Sequence, residues 1–188
     1  MTRPGPAIVV MGVSASGKSV VGIEIARRLH LPFVDADDLH PAANVAKMSQ
    51  GIPLTDADRM PWLDLVGDRL ALRSTGGQVP ESAAAESPGV VVACSALKRS
   101  YRDRLRARAP HTGFVHLTGD PELLSNRALA RTGHFMPPAL LASQLATLEP
   151  LGDDEPGVVI DVAQDVATVA ERAVEWVRRG GSVSRHPR

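Results

Sequence analysis

Residues 8–19 read Ile8-Val9-Val10-Met11-Gly12-Val13-Ser14-Ala15-Ser16-Gly17-Lys18-Ser19, an apolar run followed by an octet with the spacing G-x-x-x-x-G-K-[ST]. The run has the character of a buried strand. Residues 18–30 then place Val21, Ile25, Ala26 and Leu29 on one helical face. Strand, glycine-bearing loop and helix, in that order, is the context in which such an octet cradles phosphate. The loop turns backbone N–H groups inward, and the helix N-terminus adds the positive end of its dipole to the same concavity. Gly12, Val13, Ser14, Ala15, Ser16, Gly17, Lys18 and Ser19 are therefore the expected nucleotide-binding residues. Lys18 is placed to reach the β- and γ-phosphates of a nucleotide, and the Ser19 hydroxyl to ligate the accompanying Mg2+.

Working outward, Pro32 is expected to end the first helix, and Phe33-Val34-Asp35 reads as a second short strand. Residues 41–50 and 56–74 read as helices separated by a turn at Gly51-Ile52-Pro53, with Thr55 or Asp56 as the N-cap of the second. Residues 75–88 lack periodicity and read as an exposed, flexible loop. Val90-Val91-Val92-Ala93 is a continuous apolar run, as in a central strand covered on both faces. A charged helix at 97–108, a strand at 114–117, helices at 120–130 and 138–148, a strand at 158–160 and an amphipathic helix at 165–179 complete the pattern, with a frayed tail at about 180–188. Strands alternating with helices imply a five-stranded parallel sheet with right-handed crossovers, an α/β three-layer sandwich, within a single domain over residues 1–188.

Composition narrows the class of partner. Lys plus Arg and Asp plus Glu are each 21, so the formal net charge is zero. That balance argues against a nucleic-acid backbone or an anionic membrane as the partner, and favours a small molecule. Cys94 is the only cysteine, so no intramolecular disulfide can form and a cytoplasmic setting is expected. No stretch approaches the roughly 18 apolar residues of a membrane span.

In an open parallel sheet, ligands collect beyond the carboxyl ends of the strands, so the segments after each strand are the ones to read. After the second comes Asp35-Ala36-Asp37-Asp38-Leu39-His40-Pro41. In an extended segment Asp35 and Asp37 share one side, so one could hold metal-bound water while the other binds a substrate hydroxyl. After the third strand comes Cys94-Ser95-Ala96-Leu97-Lys98-Arg99, where many GTPases and motor ATPases carry an acid and this chain has none. Ser95 there can hydrogen-bond a substrate. After the fourth come Arg127, Arg131 and His134, in a run broken by Gly133 and by Pro137-Pro138. That run, about 131–138, reads as a flap whose arginines neutralise the transferred phosphoryl and exclude water.

Taken together, these segments resemble the gluconate kinase family of small-molecule kinases over nearly the whole chain. The resemblance is carried by Met11 to Ser19; by Asp35, Asp37, Leu39-His40-Pro41, Asn44 and Lys47-Met48; and by Gly51, Pro53-Leu54, Asp56, Asp58-Arg59 and Pro61-Trp62-Leu63. It continues through Cys94-Ser95-Ala96-Leu97-Lys98, Tyr101-Arg102-Asp103, Arg127, Arg131, His134-Phe135, Ser143-Gln144 and Leu148-Glu149. It implies ATP-dependent phosphorylation of D-gluconate at the 6-hydroxyl, in the architecture of shikimate and nucleoside monophosphate kinases, often as a homodimer. Lys18, Asp37 and Arg131 become the expected catalytic residues, with Asp37 orienting the 6-hydroxyl. Arg127 and Arg131 are expected on the nucleotide. Asp37, His40, Arg59, Ser95, Lys98, Arg102 and His134 are expected on gluconate, with Arg59 and Arg102 or Lys98 for its carboxylate. Ser19 and Asp35 are expected on the metal, although sequence alone leaves the order of Asp35 and Asp37 open.

Two departures from the family pattern stand out. Ala15 replaces a usual glycine, which a negative φ would tolerate, and the loop at 75–88 is longer than expected. The competing readings are a related kinase for shikimate or a nucleoside monophosphate, and a nucleotide-binding module without turnover.

Overall fold

The computed structural model describes residues 5–74, 89–130 and 138–181. The loop at 75–88, residues 131–137 of the flap and the tail from residue 182 lie outside the described residues. So do Arg131 and His134.

Strand β1 (Ala7–Met11) is buried at every position and lies at the centre of the sheet. Its alternation separates two cores. Ile8 and Val10 face a cluster with Val21 and Ile25 of α1 (Lys18–Leu29) and Val169, Ala173 and Val174 of α7 (Val166–Arg178). Ala7, Val9 and Met11 face Trp62, Leu63, Val66 and Leu70 of α3 (Asp56–Ser74), with Tyr101 and Leu105 of α4 (Arg99–Arg108). This is the expected three-layer sandwich. The remaining strands are β2 (Phe33–Asp35), β3 (Val90–Ala93), β4 (Thr112–Thr118) and β5 (Gly157–Asp161). All pairings are parallel, in the order β2-β3-β1-β4-β5. β3 is therefore an interior strand, and the centre belongs to β1. The chain runs from β1 to one edge, returns through β3, and crosses to the other side through β4. The order reverses at β1, which opens a crevice beyond its carboxyl end.

Helix ends follow local chemistry. Helix α1 stops at His30, not at Pro32: His30 adopts φ 55°, and the Leu31 N–H closes on Ala26 O at 2.9 Å. Such left-handed closure satisfies carbonyls that would otherwise be orphaned at the helix end. Thr55 caps α3. Its Oγ1 accepts from Asp58 N at 3.3 Å, while Asp58 Oδ2 accepts from Thr55 N at 2.9 Å, the reciprocal arrangement of a capping box. Between β2 and helix α2 (Ala42–Ser49), residues Ala36–Leu39 form a 3-10 turn that the sequence reading treated as extended. Helices α5 (Pro121–Leu129) and α6 (Pro138–Thr147) complete the fold.

Candidate functional site

The octet closes the switch point at the end of β1. Gly12 has φ 144°, and a Cβ there would lie 2.6 Å from the Leu117 carbonyl oxygen, so no larger residue fits beneath the loop. Gly17, at φ 88°, turns the chain into α1. The Gly12 N–H donates to Ser95 O at 3.3 Å, which ties the loop to the segment after β3. Lys18 Nζ donates to Val13 O at 3.1 Å, laying the lysine across the loop. Ser16 Oγ is buried with no hydrogen-bond partner among the described residues, a polar group facing the cradle of a kind that a ligand satisfies.

Ala15 departs from expectation. Its φ is 63°, in the left-handed region where the methyl costs about 1–2 kcal/mol and glycine pays nothing. The tolerance expected from a negative φ does not hold. Glycine's larger unfolded-state entropy returns part of that difference. Ala15→Gly should therefore stabilise the chain by up to about 1 kcal/mol, read as a higher urea midpoint at unchanged m-value.

The segment after β2 faces the loop. Ser19 Oγ donates to Asp35 Oδ2 at 2.8 Å, so the hydroxyl and carboxylate expected on the metal lie side by side. The other carboxylate oxygen, Asp35 Oδ1, accepts from Asp37 N at 3.1 Å and caps the 3-10 turn. The two aspartates are thus joined through a turn, and not through a shared face of a strand. Asp37 keeps solvent contact, yet surrounding protein desolvates its carboxylate. That desolvation, with the charge of Asp35, raises its pKa above the ordinary aspartate value, while Lys18 and His40 pull the other way. Asp37 therefore lies within electrostatic reach of Lys18, Asp35 and His40 together.

His40 is held from two sides. Its ring stacks on Trp62 at a centroid distance of 4.2 Å and 12° between planes, and its Nδ1 lies 3.2 Å from Asn44 Nδ2. Trp62 is fixed by donating from Nε1 to Ala36 O at 2.7 Å. Desolvation lowers the pKa of His40, as does the charge of Arg59, against the opposing pull of Asp37. The lowered pKa favours the neutral imidazole, and because the Asn44 amide NH2 can only donate, Nδ1 accepts from it and Nε2–H is left to donate to a substrate oxygen.

Arg59 donates to Leu54 O and lies 3.8 Å from Asp56. Asp56 also receives Lys98 Nζ at 2.8 Å and Tyr101 Oη at 2.5 Å. Arg59 and Lys98, two of the cations expected for a substrate carboxylate, therefore converge on one aspartate from α3 and from the segment after β3.

Arg102 belongs elsewhere. It is fully buried; its Nε and Nη2 donate to Glu155 at 2.6 and 2.9 Å, and its remaining N–H groups go to the carbonyls of Ala96, Leu97, Glu149 and Pro150. All five donors of the guanidinium are engaged within the protein, so Arg102 is a structural tie and not a ligand for substrate. Arg127 is likewise occupied, donating from Nη2 to Val162 O at 2.8 Å and holding the segment after β5. That bond uses one of the five guanidinium donors, so the expected nucleotide contact does not require Arg127 to release the carbonyl. Cys94 is a buried packing residue whose thiol burial pushes up to about 12.

One contact had no expectation attached. Gln144 of α6 accepts from the Ser14 N–H at 2.6 Å, across 130 residues of sequence. The pair Ser143-Gln144 stands out in the sequence, but nothing local says which end of the sheet α6 overhangs.

No protein-family model matches the chain. Among curated proteins it is 44% identical over 174 residues to a thermosensitive gluconokinase of Escherichia coli K12, covering 92% of this chain and 88% of that protein. It is 47% identical over 167 residues to a gluconokinase of Gluconobacter oxydans, covering 89% and 88%. Among solved structures, a gluconokinase from Sinorhizobium meliloti 1021 superposes with a TM-score of 0.80 at 48% identity, covering 96% of this chain and 95% of that one. The glycine-bearing loop, the Ser19–Asp35 pair and the Arg59–Asp56–Lys98 cluster thus stand on a chain that matches these relatives along most of its length. The chain belongs to the gluconokinase family.

Proposed function

We propose that this chain transfers the γ-phosphoryl group of ATP to the 6-hydroxyl of D-gluconate, giving 6-phosphogluconate and ADP. The observation that carries the reading is the position of Asp37, a carboxylate within electrostatic reach of both Lys18 and His40, whose pKa desolvation and the charge of Asp35 raise against the pull of those two groups. A group so placed can orient a hydroxyl and take its proton as the phosphoryl departs the nucleotide. Lys18 and the loop N–H groups stabilise charge on the phosphoryl oxygens. Neutral His40 donates from Nε2–H to a second hydroxyl oxygen, and Arg59 with Lys98 pairs with the gluconate carboxylate.

Ser19 and Asp35 fit a Mg2+ ion by their chemistry: two adjacent hard oxygen ligands, with the remaining positions left to water and phosphate, as Mg2+ prefers. When bound, the ion would neutralise charge on the phosphates.

Coupled ADP release with gluconate, shikimate and AMP as acceptors tests the reading. Turnover with gluconate alone is expected. Equal or faster turnover with shikimate or AMP would give the activity to another acceptor, and nucleotide binding with no acceptor-dependent release would leave a non-catalytic module. Within the same assay, Arg59→Ala should raise the gluconate KM at least about tenfold, as the loss of a charge-assisted hydrogen bond requires, with the ATP KM little changed. Equal rises in both constants would remove Arg59 from the acceptor side.

A further inference from the structure

Gln144 reaches the phosphate loop from a helix that the sequence gives no reason to place there. Ser14 N can only donate, so the atom it meets at 2.6 Å is the amide oxygen, and the orientation of the side chain is fixed by that fact. The amide NH2 at the other end of the head group brings two donors to the edge of the cradle. The loop carbonyl next to Ser14, on Val13, is the one that Lys18 Nζ grips at 3.1 Å. Lys18 is the residue that reaches the β- and γ-phosphates in this motif, so the head group of Gln144 is bonded to the loop residue adjacent to the one that holds the Lys18 ammonium.

The backbone beneath Gln144 is firmly anchored. Leu148 N donates to Gln144 O at 2.9 Å, and Glu149 N to Leu97 O at 2.8 Å. Glu149 Oε2 accepts from Arg99 N at 2.5 Å, and Glu149 O accepts from the buried Arg102 at 3.0 Å. The end of α6 is thus pinned to the start of α4, and the stretch Gln144 to Glu149 bridges the donor loop and the acceptor wall. A side chain on such a support is pre-organised, which lets a single hydrogen bond act on a developing charge without reorganisation.

We infer that Gln144 is a further catalytic residue: its oxygen is held by the Ser14 N–H, and its Nε2 donates a hydrogen bond to the phosphoryl group being transferred. The inference rests on the kinase reading above, yet the contact can be measured without any acceptor. Gln144→Glu retains an oxygen for the Ser14 N–H and replaces the donor by a negative charge. Titration calorimetry with ADP and with the non-hydrolysable ATP analogue AMPPNP, both with Mg2+, should show AMPPNP affinity falling at least tenfold, ADP affinity changing less than threefold, and an unchanged melting temperature. A merely structural brace predicts no such split, because glutamate braces the loop as well. Equal losses for both nucleotides, or no loss for either, would overturn the inference.

Gln144→Met supplies the second variant, neutral and lacking the donor. Its kcat with gluconate should fall at least tenfold while the fold stays intact; kcat within threefold of wild type would overturn the donor role, even if the glutamate variant is impaired. Absence of gluconate turnover in the wild-type chain would count against the acceptor and leave the nucleotide comparison to decide on Gln144.

Discussion

Lys18→Met is expected to lower kcat by about 10²–10³-fold, the usual cost of removing one pre-organised group from a developing oxyanion. The expectation follows from where the ammonium sits. Lys18 is the first residue of α1, its Nζ is held over the loop by Val13 O at 3.1 Å, and its charge reaches Asp37 across the crevice. Methionine preserves length and helix-forming tendency and removes the charge alone. The fold should barely register the change: one side-chain hydrogen bond of about 1 kcal/mol shifts the melting temperature of a domain of this size by only a few degrees. Coupled ADP release together with thermal melting measures both halves. A variant that turns over at the wild-type rate would remove the phosphate cradle from the mechanism. A variant that fails to fold would show that Lys18 serves the loop's structure, contrary to the assignment made here.

The second large effect is on stability. Glu155→Ala should destabilise the chain by about 3–5 kcal/mol, the penalty for leaving a buried charge without its partner. The corresponding fall in melting temperature is on the order of 10 °C. Both side chains are completely enclosed, and Glu155 also accepts from Gly152 N at 2.8 Å. Burial works to raise the pKa of Glu155, but the hydrogen bonds from Arg102 and Gly152 outweigh it and hold the carboxyl below its ordinary value. The pair therefore contributes its full stability above the ordinary glutamate range, near pH 4.5, and loses it as pH falls through the depressed native value. Replacing both partners at once, as Arg102→Met with Glu155→Leu, should recover much of the loss, because apolar residues of similar volume carry no desolvation cost. A single Glu155→Ala variant within 1 kcal/mol of wild type in a denaturant titration, by contrast, would mean that Arg102 has solvent or another acceptor within reach. Because Arg102 ties Ala96 and Leu97 to Glu149 and Pro150, the destabilised chain should also hold its acceptor wall less firmly against the cradle.

His116 adds a second buried titratable group to the same layer of the core. Neither ring nitrogen has a hydrogen-bond partner among the described residues, and desolvation together with the charge of Arg102 pushes its pKa down to about 4. The imidazole is therefore neutral in the native state at physiological pH, and the cationic Arg102 beside it is neutralised by Glu155.

The strands and main helices among the described residues are legible in the sequence because the pattern that marks each, an apolar run or a helical apolar face, lies within a dozen or so residues, even though the strands pair with distant ones. The run Ile8 to Met11, the octet, and the spacing of Val21, Ile25 and Leu29 declare a strand, a loop and a helix without reference to anything distant. The capping box of Thr55 and Asp58 is equally local. Where the local reading failed, a backbone dihedral was in question. Neither the left-handed closure at His30, the positive φ of Ala15 nor the 3-10 turn at Ala36–Leu39 is announced by residue type, since each is imposed by the elements on either side.

Roles assigned to arginines show the same boundary. From composition, Arg59 and Arg102 are equally fit to grip a carboxylate. Only the packing of α4 against the segment around Glu155 decides that Arg102 is enclosed and fully bonded, while Arg59 stays partly exposed beside Asp56. Likewise only folding brings the Ser19 hydroxyl to Asp35, at 2.8 Å, and not to Asp37. Gln144 and Ser14, 130 residues apart, meet because the sheet order carries α6 back over the end of β1. Sequence determined the local elements and the phosphate loop, whose chemistry is written in adjacent backbone amides. Tertiary structure decided which charged side chains are spent on the protein itself and which are left for a substrate, because desolvation and pairing depend on neighbours that only folding supplies.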